Sequence, residues 1–147
     1  MATMKITKLK ASAVVPEYQT EHASGMDLCA CLDEPRILKP MERAMIPTGL
    51  AVELLPGYEA QIRARSGLSI KYGLTMVNGI GTIDADYRGE IGILVINLGQ
   101  DEFVIEPGMR IAQLIIAKYE KVDWQEADSL NETARGDGGF GSTGVKN

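Results

Sequence analysis

The feature that most constrains this chain is its rhythm. Apolar residues come in short alternating runs, cut at close intervals by glycine or proline, and almost nowhere at helical spacing. LAVEL (Leu50 to Leu54) alternates, Pro56-Gly57 offers a turn, and YEAQIRAR alternates again. Because side chains on a strand point alternately to its two faces, Tyr58, Ala60, Ile62 and Ala64 share one face, and Glu59, Gln61, Arg63 and Arg65 share the other. EIGILVINL (Glu90 to Leu98), EFVIE (Glu102 to Glu106) and RIAQLIIAK (Arg110 to Lys118) follow, separated by GQD and by Pro107-Gly108. Weaker strands are expected at Met4 to Leu9, Met26 to Ala30 and Arg43 to Ile46. Only SGLSIKYGL (Ser66 to Leu74) reads as a helix, two turns at most, with Ser66 or Gly67 at its start and Gly73 at its end. The expected fold class is all-β, a sandwich, jelly roll or barrel with one short helix.

A chain of 147 residues with 45% hydrophobic content buries one core. Its net charge of -5 argues against a nucleic-acid surface, which needs clustered Lys and Arg, but leaves room for a small phosphorylated ligand. No run approaches transmembrane length, and MATMKITKLK lacks the apolar segment of a secretory signal, so the expectation is a cytoplasmic protein without a membrane partner. Apolar residues thin out after Asp128, which divides the chain into a β-rich core (1–128) and a Gly-rich C-terminal arm (129–147), mobile without ligand. Cys29 and Cys31 are expected on one side of a strand. A lone C-x-C lacks the second ligand pair of a zinc site, and buried reduced thiols are the simpler reading. His22 is the only histidine, which excludes a multi-histidine metal site.

Four stretches are not explained by folding alone. RGDGGFGSTG (Arg135 to Gly144) fits G-x-G-x-x-G at Gly136, Gly138 and Gly141 and nearly fits a P-loop. Both motifs feed a helix N-terminus toward phosphate, yet only six residues follow Gly141, and Ser142 stands where a P-loop needs lysine. Successive backbone N–H groups beside Arg135, Ser142 and Thr143 remain a cradle for an anion. Gln113 sits inside the apolar RIAQLII, where a buried amide is costly without partners; it faces a polar site, or lies at a sheet edge, or points to solvent from a half-buried strand. RARSGLS sets Arg63 and Arg65 on one strand face ahead of a helix start, a phosphate-binding pattern or a solvated polar face. NGIGTIDADYRGE (Asn78 to Glu90) reads as a tight hairpin that gathers Asp84, Asp86, Tyr87 and Arg88.

Taken in order, five segments resemble the motifs of the trimeric dUTP diphosphatases (dUTPases): ASGMDL (Ala23 to Leu28), RSGLS (Arg65 to Ser69), NGIGTIDADYRGE, GMRIAQLI (Gly108 to Ile115) and RGDGGFGSTG. Ser24 stands where this family often has alanine. The resemblance implies a jelly-roll-like subunit in a homotrimer whose three sites are shared between chains, and Mg²⁺-dependent hydrolysis of dUTP to dUMP and pyrophosphate, which limits uracil in DNA and supplies dUMP for thymidylate synthesis. The dCTP deaminases share the fold superfamily; the intact fifth motif and GTIDADYRG favour the diphosphatase. A nucleotide-sensing or protein-binding module is the alternative from another class.

Carried over residue by residue, the resemblance makes Asp84 the carboxylate that orients the attacking water and meets the sugar 3′-hydroxyl. Gln113 helps to hold that water and the α-phosphate. Ser66, Gly67 and Arg65 contact phosphates, with Ser66 stabilising charge on the leaving pyrophosphate. Asn78 and the backbone around Thr82, Ile83 and Asp84 pair with uracil, and Tyr87 packs under the deoxyribose and excludes a 2′-hydroxyl. Asp27 touches Mg²⁺ through water, the ion being held mainly by substrate phosphates. Arg110 is an ion-pair partner for a carboxylate the sequence does not identify. In the arm, Arg135, Gly141, Ser142 and Thr143 hold the γ-phosphate end, and Phe140 stacks on uracil.

Overall fold

The computed structural model describes residues 2–142. Its regular structure is antiparallel β throughout, apart from one helix. A four-stranded sheet runs in the order β2 (Gly25–Cys29), β11 (Arg110–Lys118), β6 (Tyr58–Ala64), β8 (Gly81–Ile83). A three-stranded sheet runs β4 (Arg43–Pro47), β9 (Gly92–Asn97), β7 (Leu74–Met76). Two ribbons complete it, β1 (Lys5–Lys8) with β5 (Leu50–Glu53) and β3 (Arg36–Leu38) with β10 (Phe103–Ile105). Most neighbours in these sheets are distant in sequence, the weave of a β jelly-roll-like fold.

Alternation decides which side chains build the core. On β6, Ala60 and Ile62 are buried while Gln61 and Arg63 face the other way. On β9, Ile93, Val95 and Asn97 point in, and Gly92, Leu94 and Ile96 stay half-buried. The inward residues of both larger sheets, among them Leu28, Ile62, Leu114, Ile46, Ile93 and Val95, form one apolar cluster. Among the described residues Asn97 is the one fully enclosed side-chain amide, 0% exposed. Its Nδ2 donates to the Leu38 carbonyl (2.9 Å) and the Asp101 carbonyl (2.8 Å), and its Oδ1 accepts from the Gly99 amide (2.9 Å), so the burial costs no lost hydrogen bond.

The helix α1 (Ser66–Tyr72) follows β6 after Arg65, whose extended backbone (φ -90, ψ 124) forms the N-cap without a side-chain hydrogen bond. It ends at Gly73 in the left-handed conformation (φ 71), which lets the Gly73 amide close onto Leu68 and Ser69. Only Leu68 of the helix is buried.

Three expectations need correction. The stretch from Asn78 does not belong to a paired hairpin. The turn after β7 carries the chain from one sheet to the other, so β7 pairs with β9 and β8 with β6. Inward-facing Met76 and Ile83 each complete a different half of the sandwich, which outweighs local closure. Cys31 does not share the strand of Cys29, because β2 ends at Cys29; Cys31 is buried beyond it, its amide donating to the Pro47 carbonyl (2.8 Å), and both thiols are free. Finally, Arg63 and Arg65 do not share a face. Arg65 has left the strand, and the Arg63 guanidinium turns back along the sheet to Gln61.

Candidate active site

β8 and the turn on either side of it wall a cavity of about 190 Å³ at one end of the sandwich. Ile62, Met76, Ile91 and Leu94 give it apolar walls, and Asn78, Thr82, Asp84, Tyr87 and Glu90 give it polar ones. This lies below the roughly 300 Å³ at which drug-sized pockets begin, so it suits one small ring with a polar edge. The segment after β8 is held by its own bonds. The Tyr87 amide donates to the Asp84 carbonyl (3.1 Å), Arg88 Nη1 donates to the Ala85 carbonyl (2.7 Å) and the Tyr87 carbonyl (3.0 Å), and the Tyr87 hydroxyl donates to the Glu90 carbonyl (2.9 Å). Asp84 also borders a wider groove of about 620 Å³ toward Asp86 and Arg88.

A second concavity, about 250 Å³, lies at the start of α1, lined by Arg65, Ser66, Gly67, Lys71 and Gln113 among others. Gln113 reaches it because β11 is an inner strand and the residue is paired across to Asp27 on one side and Arg63 on the other. The sheet-edge reading of Gln113 is therefore excluded. Behind the groove, Asp27 bridges two arginines. Its Oδ1 meets Arg65 Nε at 3.1 Å and its Oδ2 meets Arg110 Nη1 at 3.1 Å, with the Asp27 side chain 11% exposed. Arg65 Nη1 also donates to the Arg110 carbonyl (2.9 Å). Asp27 is thus the partner of Arg110 that the sequence left open, and Arg65 is turned partly toward it. Beside this cluster, burial first and the Asp27 charge second push the Cys29 thiol above its ordinary range.

The two concavities have no lining residue in common. Ile62 on the inner face of the four-stranded sheet lines the first, while Gln113, opposite outward-facing Arg63, lines the second. One chain brings Asn78, Thr82, Ile83, Asp84 and Tyr87 together, and separately Asp27, Arg65, Ser66, Gly67 and Gln113, but does not join the groups. Among the described residues, none of the arm lines either concavity and regular structure ends at Lys118; Arg135 Nε donates to the Gly138 carbonyl of its own loop (2.8 Å). Phe140 has φ 49 and a fully exposed ring, and Gly141 and Ser142 are exposed. Thr143 lies outside the described residues.

Two charged lining residues were missed from the sequence. Glu90 closes the third quoted segment but carries no local signal of its own. Lys71 stands four residues after Gly67, one helical turn along the same face, which was a usable clue. Among the described residues no group of three or more His, Cys, Asp or Glu could hold a metal ion.

The sequence profile of the dUTPase family matches residues 11–144. The chain belongs to the dUTPase family. Two relatives named deoxyuridine 5'-triphosphate nucleotidohydrolase illustrate this. That of Rickettsia felis is 59% identical over 143 residues, covering 97% of each chain. That of Rickettsia bellii is 55% identical over 148 residues, covering 97% of this chain and 99% of its own. A mutant of the Staphylococcus bacteriophage 80alpha dUTPase, solved with dUpNHpp, superposes with a TM-score of 0.90 at 28% identity, over 99% of this chain and 100% of its own. A dUTPase mutant from phage phi11 of S. aureus, described with a structural Mg(II) ion, gives 0.79 at 25% identity over 88% and 99%. The dUTPase membership and the β jelly-roll-like fold agree with the five motifs read in the sequence.

Proposed function

We propose that this chain hydrolyses dUTP to dUMP and pyrophosphate, at sites shared between the copies of a homotrimer. The observation that carries the reading is the division of the molecule into a ring-sized cavity with Asp84 at its polar side and a separate groove holding Ser66 and Gln113. A nucleoside triphosphate has two such halves. Since one chain sets them apart, a second copy is needed to bring a groove to a cavity, and the arm of a third supplies the closing contacts.

In this reading uracil enters the first cavity against Asn78 and the backbone of Thr82 and Ile83, and the Tyr87 ring underlies the deoxyribose. Asp84 accepts a hydrogen bond from the sugar 3′-hydroxyl and from the water that attacks the α-phosphorus. The new P–O bond forms as the bond to the bridging oxygen breaks, that oxygen leaves with pyrophosphate, and the water's proton passes to solvent through Asp84. An ordinary carboxylate suffices, because phosphoryl transfer passes through a loose transition state in which position matters more than basicity. The partner's Gln113 amide steadies the water and the α-phosphate, and its Ser66 hydroxyl, with Gly67 and Arg65, donates to the leaving pyrophosphate.

Mg²⁺ would be held by the substrate's phosphates, with Asp27 accepting from its water shell, and would neutralise phosphate charge. Asp27 fits that outer role and no closer one, because both carboxylate oxygens already face guanidinium groups. The arm (129–147) closes over the bound nucleotide, with Arg135, Gly141 and Ser142 toward the γ-phosphate and Phe140 over uracil; a ring wholly in water has everything to gain from such a contact. Cellular roles follow in keeping uracil out of DNA and supplying dUMP, in the cytoplasm. Among the described residues no helix is long and apolar enough to cross a membrane.

The test combines mass in solution with pyrophosphate release from dUTP in the presence of Mg²⁺. A trimer that turns over dUTP supports the reading. Ammonia release from dCTP, or a monomer with full activity, would overturn it.

A further inference from the structure

Tyr87 poses a mechanical question. Its ring walls the ring-sized cavity, yet it is 46% exposed, so packing alone does not hold it. What holds it is its hydroxyl, which donates to the Glu90 carbonyl at 2.9 Å. Gly89 leaves the space for that return, since a Cβ there would overlap the Tyr87 hydroxyl and lie 2.6 Å from Cζ. The Glu90 carbonyl is itself fixed. The Gly49 amide donates to Glu90 Oε1 at 2.7 Å, while the next residue is tied on both sides, Ile91 N–H to the Leu50 carbonyl (2.8 Å) and the Ile91 carbonyl to the Thr48 hydroxyl (2.7 Å). Thr48 is 1% exposed, within the core. The path from ring to core therefore runs Tyr87, Glu90, then Thr48 to Leu50.

We propose that Glu90 is a positioning residue for sugar discrimination: its bond to the Gly49 amide sets how firmly the Tyr87 ring stands against a ribose 2′-hydroxyl. The inference rests on the reading of the cavity as a nucleoside site. Rejecting an added hydroxyl by contact alone is weak, and a wall rejects only if it does not yield. A ring that retreats by a fraction of an ångström forfeits much of that repulsion, so selectivity is stored in the anchor behind the ring. Glu90 lines the same cavity, but this role runs through Tyr87, because its Oε1 is engaged by the Gly49 amide.

The experiment compares kcat/KM for dUTP and UTP in wild type, Glu90→Ala, Glu90→Gln, Tyr87→Phe, Gly89→Ala and the double variant Glu90→Ala/Tyr87→Phe. Glu90→Ala and Tyr87→Phe each lower the dUTP-to-UTP ratio by about 5- to 20-fold, and the double variant falls no further than the larger single one, the signature of one shared chain of contacts. Gly89→Ala lowers it similarly by displacing the ring. Glu90→Gln keeps the Oε1 acceptor for the Gly49 amide and restores the ratio to within about 2-fold. Equal loss toward both nucleotides, additive effects, or no rescue by Gln would overturn the proposal. Should Glu90→Ala not fold, Glu90→Asp takes its place: a carboxylate one methylene shorter draws back from the Gly49 amide and lowers the ratio likewise, and an unchanged ratio overturns the role of Glu90. Calorimetric binding of dUMP and UMP separates the two layers without turnover. A wild type with no preference for dUMP defeats the nucleoside reading, whereas a wild-type preference kept in every variant defeats the role of Glu90 alone.

Discussion

Two segments of this molecule are nearly alike in composition and opposite in structure. Asn78 to Glu90 and Arg135 to Ser142 are both rich in glycine, and each carries aspartate, an arginine and an aromatic ring. In the first, the backbone is tied to the core at Ile91 and the Glu90 carboxylate takes the Gly49 amide. In the second, the described bonds close only within the arm, from Gly136 to Thr133, from Gly138 and the Arg135 side chain within the loop, and from Ser142 to Gly139. Glycine permits both outcomes. In the proposed reading, what separates a fixed wall from a movable cover is whether neighbouring residues give the backbone partners in the core, which is a tertiary fact.

The contrast is tested most severely at Asp84. If the fixed segment serves to orient a water, Asp84→Asn keeps the fold and its circular dichroism but lowers pyrophosphate release from dUTP by about 10²- to 10⁴-fold, the usual worth of a positioned proton acceptor. Substantial residual turnover would mean that the segment is only a binding surface.

Removing the arm before Arg135 makes the opposite demand. Turnover falls by at least roughly 10²-fold, because contacts made only around bound phosphate are lost. The thermal midpoint stays within about 2 °C, because the described part of the arm adds nothing to the apolar core. A large fall in the midpoint would erase the distinction between wall and cover.

Single glycines sharpen it further. Gly73 has φ 71, and a Cβ there would meet backbone, overlapping the Gly99 amide nitrogen and lying 2.7 Å from the Leu98 carbonyl carbon. Left-handed strain together with a contact that cannot relax costs Gly73→Ala about 3 kcal/mol, on the order of 10 °C in the midpoint. Gly136 has a similar φ of 55, but a Cβ there would meet nothing within 4 Å. Gly136→Ala shifts the midpoint by less than about 1 °C and is felt in turnover instead. Equal shifts in the two variants would place the arm in the cooperative unit.

What the sequence disclosed follows the same line. β5, β6, β9, β10 and β11 were legible because alternation and bounding turns are local. β3, β7 and β8 were not: each has three residues and exists through a partner elsewhere, β3 through β10 and the Asn97 amide on Leu38. The helix was legible from Ser66 to Gly73, since a left-handed glycine writes its own stop signal. Candidate site residues were proposed through the five motifs, and Gln113 drew notice as a polar side chain in an apolar strand. The partner of Arg110 stayed hidden, because Asp27 lies 83 positions away and only β2 beside β11 brings them together. Glu90 stayed hidden likewise, its role depending on the amide of Gly49.

The smallest effect is a rate of labelling, and it reads the contrast directly. Cys29 is half-buried and Cys31 buried, and burial, then Asp27, holds the Cys29 thiol above its ordinary range. A thiol raised in this way carries less reactive thiolate near neutral pH, and its share grows only as pH climbs past the ordinary range. The same shift means that the folded state loses some stability as pH rises from the unfolded thiol's value toward the folded one, since the unfolded chain releases its proton first. Ser142 is exposed in the arm, so Ser142→Cys supplies a thiol with neither restraint. Iodoacetamide should modify it about 10-fold faster than either native cysteine at pH 7.5, as access favours it over both and thiolate fraction favours it over Cys29. Adding dUpNHpp with Mg²⁺ should slow that thiol by a similar factor while leaving Cys29 and Cys31 unchanged, because the arm alone changes its surroundings when it closes. If the nucleotide protected none of the three, the arm would not be a cover; if it protected Cys29 as well, the core would move with it.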